Sequence, residues 1–227
     1  MKPYIWSAVS VHTHGRVNLD QLKAPFIVIG NHSSHLDACL IMGALPRRLS
    51  RNLAAGAAAD YFFDSWYKAL STSLFFNAYP VDRQGLRNKK GLSGELLNDG
   101  VPLLIFPEGT RSRTGGMGPF TPGVAHLSIS RNVPVLPIAL VGAYAAMPYG
   151  ASVPVPGRPP VHVVFGRPLK ANPKEVPREF TDRLRRYVVE MHDTTARAYG
   201  MPTQADFARA NALRDAAVAD ENGLQPY

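Results

Sequence analysis

The densest set of groups able to move a proton is Asn31-His32-Ser33-Ser34-His35-Leu36-Asp37, which directly follows the apolar run Phe26-Ile27-Val28-Ile29-Gly30. An imidazole oriented by a carboxylate is a general base: the carboxylate accepts from one ring nitrogen, and the other takes a proton from a hydroxyl. On one continuous helix His32 and Asp37 would lie roughly 140° apart and could not meet. They cooperate only across a loop-to-helix junction, with Ser33 or Ser34 as the helix cap and Asp37 in the first turns. The same residues read equally well as a capped helix start in which the histidine bonds only locally, so the choice between the two rests on a second motif.

Phe106-Pro107-Glu108-Gly109-Thr110-Arg111-Ser112 also follows an apolar run, Val101 to Ile105. Gly109 permits close backbone approach, and Arg111 offers a planar fork for phosphate oxygens. Glu108 would hold that fork or contact a substrate hydroxyl, while Thr110 and Ser112 supply hydroxyl donors. Alone, this block also reads as a salt-bridged turn.

The two blocks together, N-H-x-x-x-x-D and F-P-E-G-T-R-S in that order, resemble the glycerol-3-phosphate and lysophosphatidic acid acyltransferase (PlsC-like) superfamily. Tyr79-Pro80-Val81-Asp82-Arg83 is similar to its arginine-bearing block, and Val133 to Ala139 to its proline-bearing strand. Phe120 and Gly123 resemble its positions after the phosphate block. The resemblance spans about Phe26 to Val141. It implies that His32 and Asp37 are the catalytic pair, that Arg83, Glu108, Gly109, Thr110, Arg111 and Ser112 bind substrate, and that Pro137 shapes the floor of the site. His35 stands where the family varies and is expected on the pocket rim.

The implied reaction moves a fatty acyl group from a thioester of coenzyme A or acyl-carrier protein to a lysophospholipid hydroxyl, with 1-acyl-sn-glycerol-3-phosphate the first acceptor. Neither a bound cofactor nor a metal is implied. A glycolipid, an aminolipid or another lysophospholipid is the alternative acceptor.

Both motifs need elements to carry them. Apolar runs at Phe26–Gly30, Leu74–Val81, Val101–Phe106, Val133–Val141 and Val161–Phe165 alternate with stretches of helical pattern at Asp37–Leu45, Asp64–Ser73, Leu86–Asn98 and Pro122–Arg131. Gly100 and Pro134 are read as stops after the last two. That order predicts a single α/β domain: a mixed, mostly parallel central sheet flanked by helices. Residues 1–200 form the acyltransferase domain in this reading, and 201–227 a C-terminal helical extension or tail. The proline-rich stretch Tyr149–Pro160 is an expected surface loop. From Glu175 to Tyr199, Phe180, Leu184, Tyr187, Val188 and Met191 recur at helical spacing beside Arg178, Arg183, Arg185 and Arg186, which predicts an amphipathic helix with a basic face.

With 227 residues, 45% of them hydrophobic, the chain is long enough to bury a core unaided. Its 25 lysines and arginines outnumber 17 acids, which favours anionic partners. A basic, non-catalytic nucleic-acid binder would share that charge, but no such motif is present and no nucleic-acid partner is expected. Cys39 is the single cysteine, so no internal disulfide forms. With neither a signal-peptide pattern nor a run of ~20 apolar residues, a cytoplasmic location or a peripheral place on the cytoplasmic membrane face is expected. Phe62, Phe63, Trp66 and Tyr67, with the Arg183 to Arg186 face, are the candidate membrane patch.

Overall fold

A computed structural model of the chain describes residues 2–58, 79–81 and 91–221. In chain order the elements are α1 (Lys2–Ala8), β1 (Ser10–His14), β2 (Ile27–Gly30), α2 (Asp37–Ala44), α3 (Arg47–Ser50), β3 (Ala54–Ala58) and β4 (Tyr79–Val81). They continue as α4 (Leu92–Asn98), β5 (Leu103–Ile105), α5 (Gly123–Arg131), β6 (Val135–Val141), α6 (Ala143–Ala146), β7 (Pro160–Phe165), α7 (Pro177–Ala198) and α8 (Gln204–Glu221).

Among the described residues one sheet runs in the order β1-β7-β6-β2-β5-β3-β4. Every neighbouring pair is parallel except β6 with β7, so the mixed, mostly parallel sheet is present. Strands β2 and β6 are buried along their whole length, as expected of parallel strands covered on both faces. Their side chains alternate between two cores. Val28, Leu136, Ile138 and Leu140 face a layer that includes Leu40 and Ile41 of α2 and Ile5 of α1. Ile27, Ile29, Val135 and Ala139 face one built from Val124 and Ala125 of α5 and Phe180, Leu184 and Val188 of α7. A strand's period of two therefore makes three layers from one sheet.

Helix α7 follows its apolar stripe, with Phe180, Leu184, Val188 and Met191 buried. Its arginines are less available than the charge pattern implied. Arg183 pairs with Glu175 at 2.6 Å, and Arg185 donates to the Gly118 and Met117 carbonyls at 2.9 and 3.1 Å. The basic face is thus partly spent on structure, while Phe62, Phe63, Trp66, Tyr67 and the predicted helix Asp64–Ser73 lie outside the described residues.

Two other expectations change. Helix α5 ends one residue before Asn132, which takes a left-handed φ of 52°, with the Val133 N–H donating to the Ser128 carbonyl at 3.1 Å. The terminator is therefore a left-handed cap and not Pro134. Strands β1 and β3 were not expected: Ser-Val-His-Thr-His and Ala-Ala-Gly-Ala-Ala lack the apolar run that marks a strand, and pairing with β7 and β5 makes them strands.

Candidate functional site

The parallel strands β2 and β5 are neighbours, with Ile29 opposite Ile105, so the loops that follow them leave the same edge of the sheet side by side. Carboxyl ends of parallel strands are where open α/β sheets gather ligand-binding loops. Asn31 continues β2 by mimicking a peptide: its Nδ2 donates to the Leu140 carbonyl at 3.0 Å, and its Oδ1 accepts the Leu140 N–H at 2.7 Å. This fixes the exit of the chain one residue before His32.

His32 and Asp37 meet across the loop, with Nδ1 2.9 Å from Oδ2. The same oxygen accepts the backbone N–H groups of Ser33 at 2.7 Å and Ser34 at 2.8 Å. The N-cap residue of α2 is Leu36, not a serine; the Ser34 hydroxyl accepts the Leu36 N–H at 3.3 Å just before the helix and donates to the Met147 carbonyl at 2.9 Å. The loop is wound instead around the Asp37 carboxylate. An oxygen gathering three donors acts as acceptor to each, so Nδ1 carries the imidazole proton and Nε2 is left as the base. Asp37 is fully buried, whereas the His32 side chain is 22% exposed. The base is reachable and the group that orients it is not. The ring lies on Phe106, centroids 4.1 Å apart and planes 14° apart, which holds it flat.

The second loop clasps the first. Glu108 Oε1 accepts the His32 N–H at 2.7 Å, and the Ser112 N–H donates to the His32 carbonyl at 2.7 Å. Glu108 Oε2 accepts the Gly118 N–H at 2.8 Å. Both carboxylate oxygens therefore brace backbone, and Glu108 holds no arginine fork, contrary to the expectation from sequence. Burial pushes its carboxyl up to about 7, against the pull of the two N–H groups. Gly109 has φ +74°, and among the described residues nothing lies within 4 Å of where a Cβ would stand. The glycine answers a left-handed turn here, and no described backbone approaches it closely.

Arg111 is the notable loose end. Its Nη1 is buried with no hydrogen-bond acceptor among the described residues, and its guanidinium lies over the Tyr149 ring, 4.9 Å from the centroid. Arg111, His35, Met147 and the segment Tyr149–Ser152 line a cavity of about 590 Å³. His35 is exposed on its rim, as expected, and its pKa is lowered by burial first and by the Arg111 and His32 charges after it. Thr110 is exposed, and the Ser112 hydroxyl accepts the Thr114 N–H at 3.3 Å.

Arg83 lies outside the described residues. Pro137 sits within the sheet opposite Ile29, where β7 ends: the Gly166 N–H still donates to the Pro137 carbonyl at 2.9 Å, and the chain beyond β7 meets β6 once more at Val135 and Leu169. A residue without an N–H suits the point where the regular ladder stops. Burial raises the Cys39 thiol to about 11, with Asp37 adding to the shift, which disfavours the thiolate.

Sequence reasoning missed Phe106 as the support of the His32 ring, Gly118 as the second anchor of Glu108, and Tyr149. Phe106 opens its block and was in view; the other two are brought in by loops whose path only the fold sets. Several histidines outside the motifs also acquire partners. His14 and His162 are bonded at 2.9 Å on adjacent strands β1 and β7, and His192 pairs with Asp193 at 2.9 Å. The Gly115–Gly118 loop is backed by α8, where Gln204 accepts the Met117 N–H at 2.6 Å and Asn211 donates to Thr114 at 2.8 Å.

Comparison with known proteins places this geometry. A family model described as Acyltransferase matches residues 10–141. The chloroplastic 1-acyl-sn-glycerol-3-phosphate acyltransferase BAT2 of Brassica napus is 27% identical over 176 residues, covering 73% of this chain and 48% of the relative. The human 1-acyl-sn-glycerol-3-phosphate acyltransferase alpha is 34% identical over 124 residues, covering 51% and 40%. The chain spans about half the length of the curated relatives it matches. In fold it is similar to the crystal structure of the 1-acyl-sn-glycerophosphate (LPA) acyltransferase PlsC from Thermotoga maritima, with a TM-score of 0.64 at 24% identity, covering 83% of this chain and 72% of that one.

Proposed function

Because the chain belongs to the Acyltransferase family, we propose that it transfers a fatty acyl group from an acyl thioester to the free hydroxyl of 1-acyl-sn-glycerol-3-phosphate, a step of phospholipid biosynthesis. The observation that carries the reading is the His32–Asp37 pair, formed at 2.9 Å with Nε2 left to act. Nε2 takes the acceptor's hydroxyl proton as the oxygen attacks the thioester carbonyl carbon. The tetrahedral oxyanion collapses, the C–S bond breaks, and the departing thiolate receives the proton. General-base catalysis contributes roughly 10² to 10⁴-fold, and alignment of acceptor and donor supplies much of the remainder.

Arg111 is the acceptor's phosphate ligand in this scheme, supported by its buried Nη1 in the cavity wall, which has no acceptor among the described residues. Thr110, Ser112 and Arg83 complete the phosphate site, and Glu108 and Gly109 shape its loop. The donor is an acyl thioester of coenzyme A or acyl-carrier protein. Among the described residues no helix is long and apolar enough to cross a membrane. The protein meets its lipid acceptor peripherally, at the cytoplasmic face, with cationic side chains toward anionic headgroups.

A panel of lysophospholipids, a glycolipid and an aminolipid, each offered with acyl-coenzyme A or acyl-carrier protein and read by mass spectrometry, tests the proposal. Acylated lysophosphatidate from the wild type, and turnover lower by about 10² to 10⁴-fold in His32→Ala, is the expected result. Turnover by His32→Ala at the wild-type rate removes the mechanism, and exclusive acylation of an unphosphorylated lipid moves the acceptor to another class.

A further inference from the structure

Resting on that acyl-transfer reading, we infer that Tyr149 is a positioning residue for the acceptor's phosphate: its ring holds the Arg111 guanidinium at the cavity wall while leaving the N–H donors of that group to the ligand. Tyr149 lies outside the blocks that carry the family resemblance, in the segment after β6 and α6. It reaches the site only because that segment folds back over the second loop.

The ring serves two cations. Arg111 Cζ is 4.9 Å and Arg113 Cζ 5.3 Å from its centroid. Tyr149 is 44% exposed, so filling the core does not account for its place. Its segment is nevertheless braced: the Ala151 N–H donates to the Pro148 carbonyl at 3.1 Å and the Val155 N–H to the Ala146 carbonyl at 2.8 Å. Ala151 itself packs against the apolar core. The ring is therefore carried on a fixed support beside a long and otherwise adaptable side chain.

A π face differs from a carboxylate in what it takes from an arginine. A carboxylate would fix Arg111 through its N–H groups and cancel its charge, and both would then be lost to an incoming phosphate. The carboxylate nearest in sequence, Glu108, is already committed to the His32 and Gly118 N–H groups. An aromatic face attracts the cation through its quadrupole and takes up none of the in-plane donors. Arg111 thereby keeps Nη1 buried without an acceptor among the described residues. Two guanidinium groups at one ring also repel each other, a cost that a dianionic phosphate bound beside them relieves. The arrangement is a preformed anion site, and the saving in side-chain ordering on binding is what Tyr149 contributes.

The test is equilibrium binding of a soluble short-chain lysophosphatidate to the wild type, Tyr149→Ala, Tyr149→Phe, Arg111→Ala and the Tyr149→Ala/Arg111→Ala double variant, with thermal midpoints recorded for each. Tyr149→Ala is expected to weaken binding about tenfold, within the range of a cation–π contact, and Tyr149→Phe to stay within about twofold of wild type. In the Arg111→Ala background the Tyr149→Ala change is expected to add nothing, because the ring acts through that guanidinium. In turnover the loss should fall on KM for the acceptor and leave kcat within about threefold, a split that general loosening of the fold would not produce. An equal loss with and without Arg111, a Tyr149→Phe variant as weak as Tyr149→Ala, or no lysophosphatidate binding by the wild type overturns the inference. A wild type that binds lysophosphatidate with the predicted cycle but acylates nothing overturns the proposed reaction and leaves the role of Tyr149 standing.

Discussion

Glu108 Oε1 accepts the backbone N–H of His32 at 2.7 Å, so the residue that bears the base is held through its peptide by the other motif. The two sequence blocks form one structural unit, closed on the far side by the Ser112 N–H on the His32 carbonyl. Disturbing either block should therefore be felt in the other.

Removing the base and removing its orienting group are expected to differ. His32→Ala should lower kcat by about 10² to 10⁴-fold with the fold retained. Asp37→Asn should lower it by a similar factor and also destabilise the protein by about 1–3 kcal/mol, since three N–H groups lose a charged acceptor buried away from water. Steady-state kinetics with urea unfolding of both variants separates the effects; a His32→Ala variant less stable than Asp37→Asn would contradict the assignment.

The raised carboxyl of Glu108 gives stability a definite pH dependence. Its pKa is about 7 in the fold against an ordinary value of 4.5, so the folded state holds the proton more tightly. The stability this contributes is complete below pH 4.5 and is lost as pH rises through 7. Glu108→Gln has no proton to lose and can accept only one of the two backbone N–H groups. It should be less stable than wild type at pH 5 by about 1–2 kcal/mol, with the gap narrowing toward pH 8. Parallel unfolding curves for the two proteins across that range would refute this account.

His162 behaves in the opposite sense. Burial, then the neighbouring His14 and His12, lower its pKa from 6.5 to about 4, and burial lowers that of His14 as well. The stability contributed is present above pH 6.5 and lost as pH falls through 4. Replacing His162 by Phe keeps a ring between His12, His14 and Tyr199 and removes the group that must stay uncharged. The thermal midpoint of His162→Phe is expected to fall less than that of wild type between pH 6.5 and 4, and an equal fall would count against it.

Gly109→Ala tests the turn in the second loop. With φ at +74° and no described residue within reach of an added Cβ, the penalty is backbone strain, about 1–2 kcal/mol. Gly109→Asn should cost less, because asparagine tolerates the left-handed region. Equal stability of the alanine variant and wild type by chemical denaturation would place the demand elsewhere.

Much of the site was legible in one dimension because its two loops each follow a strong strand signal. Phe26–Gly30 and Val101–Phe106 are apolar on both faces, which marks central strands, and chemistry-bearing residues directly after such runs must lie at the sheet's carboxyl edge. Geometry on the helix cylinder likewise required His32 and Asp37 to meet across a junction, and the 2.9 Å contact agrees. Weak signals failed for a physical reason. The alanine strand Ala54–Ala58 and the histidine-bearing Ser10–His14 have no pattern of their own and exist through their partners in the ladder.

The residue types and their spacing thus determined the α/β architecture, the two loops and the meeting of His32 with Asp37. Only the tertiary structure decided that Glu108 braces the His32 peptide and does not hold Arg111, that Asp37 organises the loop where a serine cap was expected, and that Tyr149 lies over Arg111. Each of these is a contact between segments whose approach depends on how strands are ordered in the sheet. Local sequence encodes a periodicity and a chemistry; which distant group satisfies a buried donor or acceptor is settled by packing.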